Sequence, residues 1–257
     1  MTSSDLLFHV GFDGEPVADP YEIVDAGLED PRHTTRVPAL AELLADGSAA
    51  PEERYLACYA LTSWGEAAGY RAVVEAARNP AAVAWYDTII DRTYSVDGTF
   101  AQLAVAMEDG SDLAEEKGSG PDRALAVTAL VGLADRVYFD GKLEYFLDAA
   151  SVAANLEVIA ATVRRGVRSL ADGVPQRFDL STQLVDLAAA AARTDAPLAI
   201  ALATEVLAAT PSHRALNHAV DLVYRTSGPE RRGFAGYLAA VGDDAIRSRV
   251  TAALASS

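Results

Sequence analysis

Hydrophobic and polar positions follow a helical rhythm along most of the chain, most clearly over residues 51–80. There Leu56, Ala57, Ala60, Leu61 and Trp64 recur at i, i+1, i+4, i+5 and i+8, which draws one apolar stripe along a helix. Pro51 suits a first helical turn, where its missing N–H costs nothing. Glu52 and Glu53 complement the positive end of the helix dipole. Gly65 turns the chain. Residues 66–78 read as a return helix burying Tyr70, Val73, Val74 and Ala77, stopped by Asn79-Pro80.

The same reading predicts a helix over 37–46, with Val37, Leu40, Leu43 and Leu44 on one face. Downstream it predicts a helix over 81–93, with Val83, Tyr86, Ile89 and Ile90 inward, and one capped by Thr99 that runs to Glu108. Shorter or longer helices follow over 111–117, 121–136, a piece ending near Ala149, and 156–170 with a start near Ser151. The last five cover 179–193, 195–208, 212–225, 229–241 and 243–255, with Asp195, Ser212 and Asp243 as N-caps. Residues 1–36 lack sustained periodicity. Residues 6–10 read as a short strand or extended segment, and 21–28 as one or two helical turns. Gly14, Pro16, Pro20 and Pro31 mark loop between them.

One pattern occurs twice. Arg54-Tyr55-Leu56-Ala57-Cys58-Tyr59-Ala60-Leu61 matches Arg123-Ala124-Leu125-Ala126-Val127-Thr128-Ala129-Leu130 as R-x-L-A-x-x-A-L, at an offset of 123 − 54 = 69 residues. With Arg54, Ala57, Ala60-Leu61, Gly65 and Val73-Val74, residues 51–80 resemble a HEAT-type repeat, and equally the related armadillo-like class. The resemblance implies an all-α fold, a right-handed α-α superhelix (solenoid) of antiparallel helix pairs. It would form a single domain over 37–257 behind an irregular acidic cap at 1–36 that shields the open end of the array. Gly118-Ser119-Gly120-Pro121 is then either a joint between two subdomains or a long inter-repeat loop. The family implies scaffolding or partner binding more often than catalysis, and it carries over no functional residues.

Composition fits this class. Alanine is abundant and aromatics are 7% of residues, which suits closely stacked helices. No secretory signal pattern opens the sequence and no apolar run reaches the ~20 residues of a spanning helix. With one cysteine, Cys58, the expectation is a cytoplasmic protein that engages no membrane.

Charge adds a direction. The net charge is −16, and residues 1–128 hold 23 Asp/Glu against 8 Lys/Arg, a net of −15; residues 129–257 hold 14 against 13. Such an excess repels phosphate backbones, so nucleic acid is a poor partner and a basic protein the natural complement.

Catalytic motifs are missing from the sequence: no G-x-S-x-G, P-loop, G-x-G-x-x-G or H-E-x-x-H. His213 and His218 would lie about 140° apart on a helix, a poor metal pair. No cofactor is implied. Cys58 falls among apolar neighbours and reads as core. The best candidate surface is residues 84–116. Asp87 and Asp91 would share a helical face, Trp85 and Tyr94 flank them, and Asp97, Asp112, Glu115 and Glu116 add acid. Aromatics beside carboxylates would anchor a partner's Arg or Lys. Two other readings stay open there: a solvated helix with Asp91 paired to Arg92 or Arg36, and an acid/base pair of an enzyme. The leading expectation is a non-enzymatic module whose acidic N-terminal half binds a basic protein, in one form an immunity protein neutralising a cationic toxin. The alternative is an enzyme using carboxylates near 87–116.

Overall fold

The computed structural model describes residues 3–91 and 96–256. The chain forms two compact units, Met1–Leu130 and Val131–Ser257. The charge break coincides with this division, because residues 129 and 130 are uncharged. The fold is all-α: fourteen α-helices, joined among the described residues by short 3₁₀ turns and one two-residue β-ribbon. No helix among the described residues is long and apolar enough to cross a membrane.

The first unit contains α1 (Ser3–Phe8), α2 (Pro20–Glu29), α3 (Val37–Ala45), α4 (Pro51–Ser63), α5 (Ala67–Arg78), α6 (Thr99–Asp109) and α7 (Ser111–Glu116). Helix α8 (Gly120–Val131) runs to its boundary. Helix α4 is the centre, packed by α2, α3, α5 and α6. The expected one-sided stripe is therefore an understatement. Tyr55, Cys58 and Tyr59 are buried along with Ala57, Ala60, Leu61 and Trp64, while Leu56 is only half-buried. Each large ring removed from water contributes roughly 4–6 kcal/mol of transfer free energy. The Trp64 indole donates to Val24 O at 2.9 Å. Helix α2 approaches this ring so closely that a Cβ on Gly27 would lie 2.4 Å from Trp64 Nε1.

Two helix ends in this unit are built alike and tied together. Helix α4 closes through Gly65 in the left-handed region (φ +71°), with Glu66 N donating to Leu61 O and Gly65 N to Thr62 O. Helix α7 closes through Gly118 (φ +68°), with Ser119 N donating to Ala114 O and Gly118 N to Glu115 O. Lys117 Nζ then donates to Trp64 O at 2.7 Å and Ser119 Oγ to Gly65 O at 2.6 Å. The Gly-rich stretch at 118–121 thus lies inside the first unit, with Ser119 buried.

The repeated arginine has a structural counterpart. Arg54 Nε donates to Leu44 O near the end of α3, and Arg123 Nε donates to Met107 O near the end of α6, both at 3.1 Å. The receiving helices end in similar sequence, Leu44-Ala45-Asp46-Gly47 and Met107-Glu108-Asp109-Gly110. Those ends are 107 − 44 = 63 residues apart, the arginines 69. The difference of six equals the length of α7, which reads as an insertion into the second copy.

Several expectations fail here. Residues 6–10 are not a strand: α1 occupies Ser3–Phe8, and only Val10 bridges, to Pro16. The N-terminal segment is more helical than its Pro and Gly content predicts. Arg36 explains its order, since its guanidinium donates to Leu7 O, Val10 O and Gly11 O and lies 4.4 Å from the Phe12 ring centroid. Residues 81–91 are not a helix, and the remainder of the expected 81–93 helix lies outside the described residues. Pro80 starts only a 3₁₀ turn, Pro80–Ala82, and the chain then reaches β1 (Ile90–Asp91), which pairs antiparallel with β2 (Val96–Asp97). Burial of Trp85 against Tyr55 and Phe100 and the β-branched run Thr88-Ile89-Ile90 override the helical spacing; Ile90, expected inward, is exposed. Thr99 does not cap α6; Asp97 accepts its N–H and Thr99 is the first helical residue.

The second unit comprises α9 (Ala149–Ala171), α10 (Leu180–Ala191), α11 (Ala196–Ala209), α12 (His213–Arg225), α13 (Gly228–Val241) and α14 (Asp244–Ala255). The predicted caps are present: Asp195, Ser212 and Asp243 each accept the N–H three residues on, as do Asp148 and Asp179. Helix α10 is the centre, packed by α9, α11 and α12 and buried at every residue but Asp186. The helix expected to reach residue 136 stops at Val131, and the piece expected before Ala149 is a 3₁₀ turn, Lys142–Glu144. Gln183 holds the intervening turn: its Oε1 accepts from Phe139 N, and its Nε2 donates to Ala134 O and Val137 O.

Candidate functional site

The expected site residues separate into two groups. Around the ribbon, Trp85 is buried in an aromatic cluster. Asp97 is also buried. Its Oδ1 accepts from Asp87 N at 3.1 Å, Thr99 N at 3.3 Å and Thr99 Oγ1 at 2.5 Å, while Oδ2 has no hydrogen-bond partner. Burial pushes its carboxyl above the usual range, and the nearby Asp87 charge adds to that. Asp87 is exposed and holds a left-handed backbone (φ 62°), fixed by its bond to Asp97. Asp91 enters the ribbon opposite Val96 and shares no helical face with Asp87. Tyr94, with Arg92, lies outside the described residues. Over 84–91 the helical surface drawn from spacing is therefore replaced by a turn held by Asp97.

Asp112, Glu115 and Glu116 form a group of their own. All three are exposed, and their i, i+3, i+4 spacing puts them on one face of α7. The fold adds acid that spacing along the chain could not reveal. Asp109, at the end of α6, has its carboxyl pushed up by partial burial, then by Asp25 of α2 and by Glu108. Tyr59 of α4 has its hydroxyl pushed up by burial, and Asp109 and Asp25 add to the shift. Residues 84 positions apart (109 − 25) thus act on one tyrosine.

Why this acid stays uncompensated follows from where the cations go. Arg32, Arg71, Arg78, Lys117 and Arg123 pair with Asp30, Asp122, Glu75, Glu66 and Glu108. Arg36 and Arg54 are engaged on backbone carbonyls. Among the described residues, no Lys or Arg forms an ion pair with Asp25, Asp109, Asp112, Glu115 or Glu116.

Other chemical groups are accounted for locally. Cys58 is fully buried and its thiol is pushed up to about 12 by that burial, which disfavours the thiolate a nucleophile needs. His218 Nδ1 lies 2.7 Å from Asp186 Oδ1, and His213 Nδ1 lies 3.1 Å from Asp243 Oδ2. No group of three or more metal-ligating side chains occurs among the described residues. No protein family, curated protein or solved structure matches the chain.

Proposed function

We propose that the protein is a non-enzymatic interaction module whose acidic first unit docks a basic protein. The observation that carries this reading is the confinement of a −15 net charge to one unit (23 acidic, 8 basic), with the exposed carboxylates on α7 forming no ion pair among the described residues. Opposite potentials speed encounter and select partners. In this reading α7 and Asp109 are the contact surface, and Asp87 contributes from its exposed turn. The architecture is read as HEAT-like, its helix pairs belonging to a solenoid of the armadillo type that works in a cytoplasmic setting. One concrete form is an immunity protein that neutralises a cationic toxin.

The alternative is an enzyme using carboxylates near 87–116; the helical face that Asp87 and Asp91 would have shared in it does not form, since Asp91 lies in the ribbon. The test is capture of partners from the source cell at low and high salt, with the Asp112→Asn, Glu115→Gln, Glu116→Gln protein beside the unchanged one. Capture of one basic protein, weakened by salt and by the triple change, is expected. Equal capture by both proteins, or capture insensitive to salt, overturns the reading.

A further inference from the structure

We infer that the cleft beside Arg54 is a binding site for a small apolar monocarboxylate, independent of the acidic docking surface. The cleft holds about 380 Å³, within the range of small-molecule sites. Leu44, Ala72, Ala76, Val83 and Trp85 give it apolar walls, and Arg54 stands among them.

The two copies of the repeated arginine show what is missing at the first. Both guanidiniums donate an Nε–H bond to a carbonyl near the end of an earlier helix, α3 for Arg54 and α6 for Arg123. At the second copy, Arg123 faces Glu108 at 4.0 Å, the residue directly after its carbonyl partner Met107. At the first copy, the residue after Leu44 is Ala45, which brings no carboxylate. Asp46 is next; its charge and that of Arg54 act on each other, but the two form no ion pair within 4.0 Å, and Asp46 Oδ1 accepts from Ser48 N and Ser48 Oγ. Glu75, also on the cleft, pairs with Arg78. The Nη groups of Arg54 thus have no partner among the described residues, although the half-buried side chain is already positioned. A planar guanidinium edge of this kind takes a carboxylate through two parallel hydrogen bonds. The ligand carboxylate fills the place that Glu108 fills in the second copy, and its apolar body lies toward Trp85.

The test uses the full chain with 3-phenylpropionate, and 3-phenylpropionamide as the uncharged control. The two tryptophan indole N–H resonances are followed by NMR. The acid is expected to shift the Trp85 resonance and leave that of Trp64, which is sealed against Val24, in place. The amide should bind about tenfold more weakly or worse. Arg54→Gln should remove the preference for the acid. Because Arg54 also holds the end of α3, Ala84→Phe provides a second variant: it obstructs the cleft from an exposed position and should abolish binding of both probes. Equal binding of acid and amide overturns the inference. So does no shift at Trp85 up to millimolar acid, or unchanged binding in Ala84→Phe.

Discussion

Lys117 Nζ lies 2.8 Å from His33 Nε2, across 84 residues of sequence. The contact fixes the histidine tautomer. His33 Nδ1 sits 2.8 Å from Asp30 O, an acceptor, so Nδ1 carries the proton and Nε2 accepts from the ammonium. Lys117 donates its two other protons to Trp64 O and Glu66 Oε1, at 2.7 and 2.6 Å. One side chain therefore ties the N-terminal segment, the α4 end and the α7 end. Lys117→Met is expected to lower stability by about 2 kcal/mol, since it strands Glu66 and two acceptors in a largely buried place. Lys117→Arg should not restore it, because a planar fork cannot point at three separate acceptors. Urea unfolding of the three proteins measures both.

At the ribbon, strain and anchoring have opposite signs. Asp87 holds φ 62°, a region that glycine enters without steric cost. Asp87→Gly should stabilise by about 0.5 kcal/mol, whereas the β-branched Asp87→Val should destabilise by more than about 1 kcal/mol. Asp97→Ala removes the acceptor of three donors and should cost about 2 kcal/mol; Asp97→Asn keeps Oδ1 and should cost less. Thermal unfolding of the four variants orders them.

In the second unit, stability should fall with rising pH. The hydrogen bond to Asp186 raises His218 above its ordinary 6.5, against the opposing effect of burial. The folded state therefore holds this proton more tightly than the unfolded chain does. Its contribution is full below about pH 6.5 and is lost as pH rises through the folded value. Asp186 is itself raised from 3.8, mainly by burial, so its loss of stability runs the same way in a lower window. Melting temperatures between pH 6 and 8 should fall for the unchanged protein and stay flatter for His218→Asn. A parallel fall in both would sink this account.

Gln183 makes three buried bonds to the 134–139 turn. Gln183→Leu has nearly the same volume but leaves Phe139 N, Ala134 O and Val137 O without partners. A loss of about 3 kcal/mol is expected by denaturant titration. Gln183→Glu should be worse than the Leu variant, since it buries a charge and still lacks the two donors.

These residues also show which parts of the fold were legible in the sequence. The helices of the second unit announce themselves because Asp195, Ser212 and Asp243 sit before uninterrupted helical periods, and caps act locally. The errors fall where distant groups decide. Residues 81–93 have helical spacing, yet Trp85 is drawn under Tyr55, and Asp97 from ten residues on fixes the backbone of Asp87. The turn over 134–139 depends on Gln183, and the order of residues 7–11 on Arg36. The acid of α7 was visible as a run, whereas the approach of Asp25 to Asp109 exists only once α2 and α6 both pack on α4.

Cys58 turns the buried centre of the first unit into a chemical clock. A thiol with its ionisation at about 12 and no exposed surface is silent toward alkylating reagents while α4 stays packed. It is the sole cysteine of the chain, so every labelled molecule reports an opening of that unit and none reports the second. The labelling rate then times how often α4 comes free, and a partner seated on the first unit would slow it.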